Sequence, residues 1–173
     1  MNLRARIRRY QLTRYRNKQE HPNSYDGFER LASIALVFES GANDKLVLEF
    51  ARVLRNFGKE VKLLGYIPTK RKDLLDIPPF SHFTTDEIGW TGKPSSEDVD
   101  TFLKEHYGAF ISLIADTDHP MEFVESQVGA DFKIGIKAGP AFELVVGKDG
   151  ETPWEELFHE IEYYLKFINQ KVE

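Results

Sequence analysis

Three largely apolar runs constrain what this chain can fold into more than any other feature of its sequence. The runs are LASIALVF (31–38), VKLLGYI (61–67) and AFISLIAD (109–116). A strand that is apolar at nearly every position is buried on both faces, which is typical of a parallel sheet covered by helices. Since segments with helical periodicity lie between and after the runs, we predict a three-layer α/β domain of Rossmann or flavodoxin type with a mainly parallel sheet.

Four segments have the spacing of apolar residues that a helix buries along one face. They span residues 43–57, 95–107, 119–128 and 152–170. Asn43 is a favourable N-cap for the first of them, and Gly58 is placed to end it. The chain of 173 residues is long enough for a sizeable core, and we expect residues 25–173 to form a single α/β domain.

The last two strand-like runs stand closer together than the others. FKIGI (132–136) and FELVV (142–146) are separated only by KAGPA. A parallel crossover usually takes a dozen or more residues. The sequence therefore predicts a C-terminal antiparallel hairpin at one edge of the sheet.

The first part of the chain has a charge opposite to that of the rest. Residues 1–20 contain seven basic residues and one acid, Glu20, a net charge of +6. The basic residues are Arg4, Arg6, Arg8, Arg9, Arg14, Arg16 and Lys18. Because the whole chain has a net charge of −5, the remaining residues carry −11. We interpret residues 1–24 as a basic helical arm with a linker, an electrostatic unit distinct from the acidic body.

Three functions of the arm remain open at this point. Arginines on several sides of a helix suit contact with phosphates, so RNA or a ribonucleoprotein is one possible partner. A protein partner, a second copy of the chain or the chain's own acidic body is another. On a helix, Leu3, Ile7 and Tyr10 form only a thin apolar stripe, whereas a membrane-surface helix needs a broad one. We therefore expect no stable membrane insertion.

The segment ADTDHPME follows the third apolar run and holds the best candidates for catalysis. Asp116, Asp118 and His119 would lie at the carboxyl end of a central strand, where carboxylates hold Mg²⁺ and a histidine acts as a base. The alternative is structural. Asp118 or His119 would cap the next helix, and Asp116 would stay in solvent.

Three consecutive cations follow the second run. Lys70, Arg71 and Lys72 are candidates for binding a phosphate near the point where the strand order reverses, or for a second contact with nucleic acid. A charged surface loop is the alternative. The loop after the first run, FESGANDK (38–45), has neither phosphate-binding glycine fingerprint, and it carries the acids Glu39 and Asp44.

Several kinds of chemistry find no support in the sequence. The chain has no cysteine, which excludes thiolate chemistry and suits a reducing compartment. It has no serine-hydrolase elbow, and HEIEY (159–163) has tyrosine where a zinc-protease helix needs its second histidine. No metal site is predicted, and the cofactor is unknown. We expect a cytoplasmic protein, because no apolar secretory region follows the basic start. Trp90 is expected to pack within its turn.

Several stretches together are similar to a known family. They are the run LVFESGANDKLVLEFARVLRNFGKEVKLLGYIP (36–68), WTGKP (90–94), FKIG (132–135) and the basic start. They resemble a family of uncharacterised α/β proteins of Bacteroidota that has no established activity. The resemblance implies the fold and a bacterial cytoplasmic setting, and it assigns no functional residues.

Two functional hypotheses follow. The first is a non-catalytic α/β module that docks through its arginine-rich helix on RNA or a ribonucleoprotein assembly. The second is an enzyme or sensor for a nucleotide or a phosphorylated metabolite, with its site at the carboxyl ends of the strands.

Overall fold

The computed structural model of the chain describes residues 3–16, 25–147 and 152–168. The helices in these ranges are α1 (Leu3–Arg16), α2 (Asp44–Asn56), α3 (Glu97–Lys104), α4 (Glu122–Gln127) and α5 (Trp154–Phe167). The strands are β1 (Ser33–Glu39), β2 (Glu60–Ile67), β3 (Ser81–Thr84), β4 (His106–Tyr107), β5 (Ala109–Ser112), β6 (Gly129–Ala130), β7 (Lys133–Gly135) and β8 (Leu144–Val145).

Six of these strands form one parallel sheet in the order β3-β2-β1-β5-β7-β8. The remaining two, β4 and β6, pair in parallel as a separate small sheet. The chain builds the main sheet outward from β1 to β3, then returns to the other side of β1 with β5. This reversal puts the switch point of a doubly wound fold between β1 and β5, where such folds bind ligands. The predicted α/β class and mainly parallel sheet are confirmed.

Helices cover both faces of this sheet. Alternate residues of β1 enter two separate cores, with Leu36 in the core that includes α2 and α5 and Val37 in the core that includes α3 and α4. In the first core, Phe50 of α2 stacks on Phe158 of α5 with the ring centres 4.3 Å apart. The continuously apolar strands thus have the two-sided burial that their sequence predicts.

The predicted antiparallel hairpin is wrong, because β7 and β8 pair in parallel. Ile134 is opposite Leu144, and Gly135 is opposite Val145. A helical crossover would need more residues than the connection 136–143 provides. These strands, however, have only three and two residues, so the chain must return over no more than about 10 Å. Phe142 closes the connection over Gly135, where a Cβ would lie 2.6 Å from the phenylalanine ring.

The arm forms the predicted helix, and α1 packs against α4. Its linker, residues 17–24, lies outside the described residues. The inner face of α1 buries Leu12, whereas Tyr10 is 67% exposed. The apolar stripe predicted through Tyr10 is therefore not the face that packs. No helix among the described residues is long and apolar enough to cross a membrane.

Candidate functional site

The polar residues of greatest interest lie where β1 and β5 end, at the switch point of the sheet. Glu39 is the last residue of β1, and Ser112 is the last residue of β5. The segment from Ala115 to Met121 then leads from β5 towards α4. Since parallel strands end at the same edge, residues distant in sequence meet here.

His119 is buried and has both ring nitrogens engaged. Its Nδ1 accepts a hydrogen bond from the backbone N–H of Met121 at 3.0 Å, so Nε2 carries the ring proton. Nε2 donates this proton to Glu39 Oε2 at 2.7 Å. Tyr66 packs edge-on against the ring with the centres 5.1 Å apart, and burial, with a smaller effect of Glu39, raises the pKa of the Tyr66 hydroxyl. In this arrangement His119 holds the start of α4 against the end of β1.

Arg8 reaches this edge from α1. Its Nη2 donates to the backbone oxygen of His119 at 2.7 Å and to Glu122 Oε2 at 3.2 Å, and its guanidinium lies 5.6 Å from the centre of the Phe123 ring. The Arg8 and Glu122 side chains are only 14% and 13% exposed. A charge-assisted pair with so little solvent contact is stronger than a surface ion pair. Arg8 thus attaches the arm to the body.

The turn 88–94 supports Arg8 from the other side. A Cβ at Gly92 would lie 3.0 Å from Arg8 Nη1, and the φ of Gly92 is +86°. Glycine is the residue that adopts this conformation without strain and leaves room for the guanidinium. Arg8 is therefore enclosed by α4 and by this turn.

A second cation extends the charge network. Lys137, which follows β7, has its Nζ 3.4 Å from Glu125 Oε2, 3.7 Å from Glu122 Oε1 and 2.9 Å from the backbone oxygen of Asp116. Glu125 also accepts a hydrogen bond from Ser112 Oγ at 2.6 Å. Each of these buried or half-buried charges has a partner of opposite sign, as buried charges require. The network therefore joins α1, α4 and the ends of β1, β5 and β7.

Lys133, on β7, is buried next to this network. Burial lowers the pKa of its ammonium to about 8, although Glu143 and Glu125 act in the opposite direction. Its Nζ lies 3.5 Å from the backbone oxygen of Glu125. Lys133 is a charge that the fold buries at a cost in free energy.

The structure separates the three residues predicted as catalytic candidates. Only His119 enters the network through its side chain, whereas the side chains of Asp116 and Asp118 are exposed. Asp118 adopts a φ of +61°, and its N–H donates to Glu122 Oε1 at 3.3 Å. No group of three or more acidic or histidine side chains that could hold a metal ion occurs in the described part of the chain. Asp116 is in solvent, as the structural alternative expects, but the capping differs from it: Met121 is the N-cap of α4 and has no side-chain capping bond, and the His119 ring accepts the Met121 N–H.

The predicted phosphate-binding residues lie in a short 3₁₀ turn after β2. Lys70, Arg71 and Lys72 are exposed, but Arg71 is paired. Its Nη2 donates to both carboxylate oxygens of Glu87, at 2.9 and 2.8 Å, and its backbone N–H donates to Asp86 at 3.0 Å. Burial alone would raise the pKa of Glu87, but hydrogen bonds from Arg71 and Thr84 outweigh this effect and lower it.

The loop after β1 donates hydrogen bonds to the carboxylate of Asp44, the first residue of α2. Asp44 accepts hydrogen bonds from Gly41 N–H at 2.7 Å and from the Ser40 hydroxyl at 2.6 Å. Asn43 stands just before α2, but its side chain makes no capping hydrogen bond. Asp44 therefore takes the place that an anion would occupy in a phosphate-binding fold.

The predicted nucleic-acid contacts in the arm are described only in part. The side chains of Arg4, Arg6, Arg14 and Arg16 and the whole of Lys18 lie outside the described part of the chain. Arg8 is directed into the body, whereas Arg9 is exposed. Among the described residues, Arg9 has no ion-pair partner.

Sequence reasoning identified His119 but missed its partner Glu39 and the nearby ion pair of Lys137 with Glu125. Glu39, Lys137 and Glu125 are ordinary acidic and basic residues in sequence, separated by long segments. Their common location depends on the strand order, which puts the end of β1 next to the end of β5. A correct strand order would have shown that they meet.

The chain belongs to the family of unknown function DUF6913, which matches residues 4–168. The expected resemblance to a family without an established activity is confirmed, and the matched range includes α1 as well as the α/β body. A comparison with curated proteins finds no match, and neither does a comparison with solved structures. The family assigns no chemistry to the residues described above.

Proposed function

We propose that this protein is a non-catalytic α/β module that binds RNA, alone or within a ribonucleoprotein assembly, through helix α1. The observation that carries the proposal is that two adjacent arginines of α1 lie in different environments, one against the body and one in solvent. Arg8 attaches α1 to the body, and Arg9 remains exposed beside it. The helix is thereby held in a defined orientation while it offers cations to a partner.

The composition of α1 supports a polyanionic partner. The helix contains six arginines and no acidic residue in 14 positions. Arginine is the better side chain for phosphate, because its planar fork donates two parallel hydrogen bonds. Such contacts do not depend on base sequence. Partner specificity would then come from the body or from the assembly.

The pairing of charges at the switch point supports the non-catalytic interpretation. Both nitrogens of His119 are occupied by groups of the same chain, and Asp44 occupies the loop after β1. A doubly wound sheet usually leaves this edge open to a ligand. Here the edge receives Arg8 of α1 instead. We further infer a bacterial, cytoplasmic setting, as the resemblance to Bacteroidota proteins and the lack of cysteine suggest.

The test is the salt dependence of RNA binding by the full chain and by a variant with four arginines of α1 changed to glutamine. The four are Arg4, Arg6, Arg9 and Arg14. If five cations of the arm contact phosphates, the slope of log affinity against log salt concentration is about −4. The variant should lose about three units of that slope and most of its affinity at low salt.

A matched control removes a cation from the body. Arg30 is an exposed residue that pairs only loosely with Asp26 at 3.6 Å, so Arg30→Gln should leave RNA binding unchanged. Cell lysates should show the same difference. The parent should sediment with RNA-rich particles until salt or nuclease releases it, and the four-residue variant should stay in the soluble fraction. Equal RNA affinity of the parent and the variant would make the proposal wrong.

A further inference from the structure

Trp90 is an exposed aromatic side chain on a well-defined turn. The sequence predicts that it packs within the turn, but the structure leaves it 64% exposed. The turn is closed by hydrogen bonds from Gly89 N–H to Lys93 O at 2.8 Å and from Gly92 N–H to Gly89 O at 2.9 Å. Ile88 and Pro94 form an antiparallel bridge at its base. The fold therefore fixes the backbone of the turn and leaves the indole exposed.

This turn adjoins the cationic helix. Gly92 lies against the guanidinium of Arg8. Trp90 is two residues from this contact along the turn, and the exposed Arg9 is one residue from it along α1. The turn that exposes Trp90 and the helix that exposes Arg9 therefore meet where Gly92 contacts Arg8. Tyr10, which is 67% exposed, adds a second ring on the helix.

Exposed aromatic rings beside arginines are the combination that binds single-stranded nucleic acid. The cations contact the phosphates, and the rings stack on bases whatever their sequence. A base within a duplex has both faces covered by its neighbours, so it offers no surface to an indole. Unpaired bases in RNA loops and ends are free to stack on aromatic side chains.

We propose that Trp90 stacks on an unpaired base of RNA that lies along α1, and that the partner is therefore single-stranded RNA. The inference rests on the proposed function and adds the class of RNA. In this proposal the turn 88–94 recognises unpaired bases, whereas the arginines contact only phosphates.

An anionic membrane surface is the main competing partner, and the structure disfavours it. The loop after β2 exposes Leu75 and Ile77 almost completely, to 98% and 92%, and such side chains could enter a lipid surface. The charges of this loop do not decide between the partners, because Lys70, Arg71 and Lys72 precede Asp73 and Asp76. Among its described residues, however, α1 exposes one large apolar side chain, Tyr10, whereas a membrane-surface helix needs a broad apolar face. Leu75 and Ile77 provide a variant that separates the two partners.

The test compares a 12-nucleotide single strand with a blunt-ended duplex of the same length in base pairs, formed from two separate strands so that it has no loop. Trp90→Ala should weaken binding of the single strand by roughly 5- to 150-fold, the usual effect of removing a ring that stacks on a base. It should change binding of the duplex far less. Trp90→Phe should retain most of the affinity, whereas the double variant Leu75→Ser, Ile77→Ser should bind like the parent.

Fluorescence reports the stacking directly. The chain has two tryptophans, and Trp154→Phe leaves Trp90 as the only one. Its emission should be quenched by the single strand and little affected by the duplex.

The outcomes of these experiments are distinguishable. If the α1 arginine variant loses RNA affinity but Trp90→Ala does not, the proposed function stands and the stacking proposal is wrong. Equal losses for single strand and duplex also contradict stacking. If the parent binds no RNA but binds phosphatidylserine vesicles, and the Leu75, Ile77 and Trp90 changes reduce that binding, both proposals are wrong and the surface is a membrane contact.

Discussion

Replacing Arg8 by alanine is expected to release α1 from the body without unfolding the body. The substitution removes two hydrogen bonds of a charged donor, to His119 O at 2.7 Å and to Glu122 Oε2 at 3.2 Å. Each such bond contributes about 1.5–3 kcal/mol when its partner is protected from water. Glu122 would keep Lys137 at 3.7 Å, so the carboxylate would not be left unpaired. Because the Arg8 and Glu122 side chains keep some contact with water, we take about 1 kcal/mol for each bond, below this range. The expected net loss in the docking of α1 is then about 2 kcal/mol, a factor of about 30.

Amide hydrogen exchange of α1 measures this loss. A helix of 14 residues is marginally stable in water by itself, so its amides should be protected mainly while it is docked. The Arg8→Ala variant should exchange about 30-fold faster in α1 and at an unchanged rate in β1 and β5. Its midpoint of chemical denaturation should change little.

The neighbouring arginine provides the control. Arg9→Ala changes the same residue type in the same helix at an exposed position, so it should leave exchange of α1 unchanged. A double-mutant cycle with Glu122→Gln should give a coupling energy of about 1–2 kcal/mol for Arg8 and about zero for Arg9. If Arg8→Ala and Arg9→Ala have the same effect, the reasoning that Arg8 fixes α1 is refuted.

Three further predictions concern the body. Burial lowers the pKa of Lys133 from 10.5 to about 8, so between these two pH values the unfolded state binds more protons than the folded state. The free energy of unfolding should therefore rise from pH 8 to pH 10. Lys133→Met should abolish this rise and stabilise the protein at pH 7 by about 3 kcal/mol. Gly92→Ala, at a φ of +86°, should lower the free energy of unfolding by about 1–2 kcal/mol and loosen α1, whereas Gly41→Ala, where a Cβ meets nothing within 4 Å, should do neither. The lowered pKa of Glu87 means that its pairing with Arg71 stabilises the fold above the ordinary glutamate pKa and is lost as the pH falls through the lowered value. Arg71→Ala should therefore cost about 0.5–1 kcal/mol at pH 7, and this cost should disappear in acid denaturation as the pH falls below the lowered pKa of Glu87.

The sheet could be predicted from sequence because its physical signal is local. Apolar residues at five consecutive positions of β1, from Ile34 to Phe38, indicate burial on both faces without reference to any other strand. The direction of β8 has no such signal. The usual length of a parallel connection argued for an antiparallel return, but it assumes strands of ordinary length, and here two residues, Leu144 and Val145, form the whole strand. Because β7 and β8 are so short, a short connection can return the chain for parallel pairing. The length of these strands is visible only in the structure.

The candidate site could be predicted only where one segment carries it. His119 lies in a segment rich in acidic residues and was identified from that context, but its partner Glu39 comes from a strand 80 positions away in sequence. Arg8 and Arg9 are a sharper case, since two identical neighbours have opposite roles. Consecutive positions on a helix are about 100° apart, so one arginine faces α4 while the next faces solvent. Which one faces inward depends on how α1 rotates against α4, a tertiary property.

This rotation lets an acidic body hold a cationic helix by one arginine while the next one stays exposed. If charge attraction alone held α1 to the body, each arginine would contribute a little and the interaction would weaken steadily with salt. Instead, one largely buried pair, Arg8 with Glu122, fixes the helix. A pair so little exposed is screened far less than surface charges. If the arm binds RNA as proposed, salt should therefore separate its two roles: at a concentration that abolishes RNA binding through residues such as Arg9, exchange of the α1 amides should still show the helix docked.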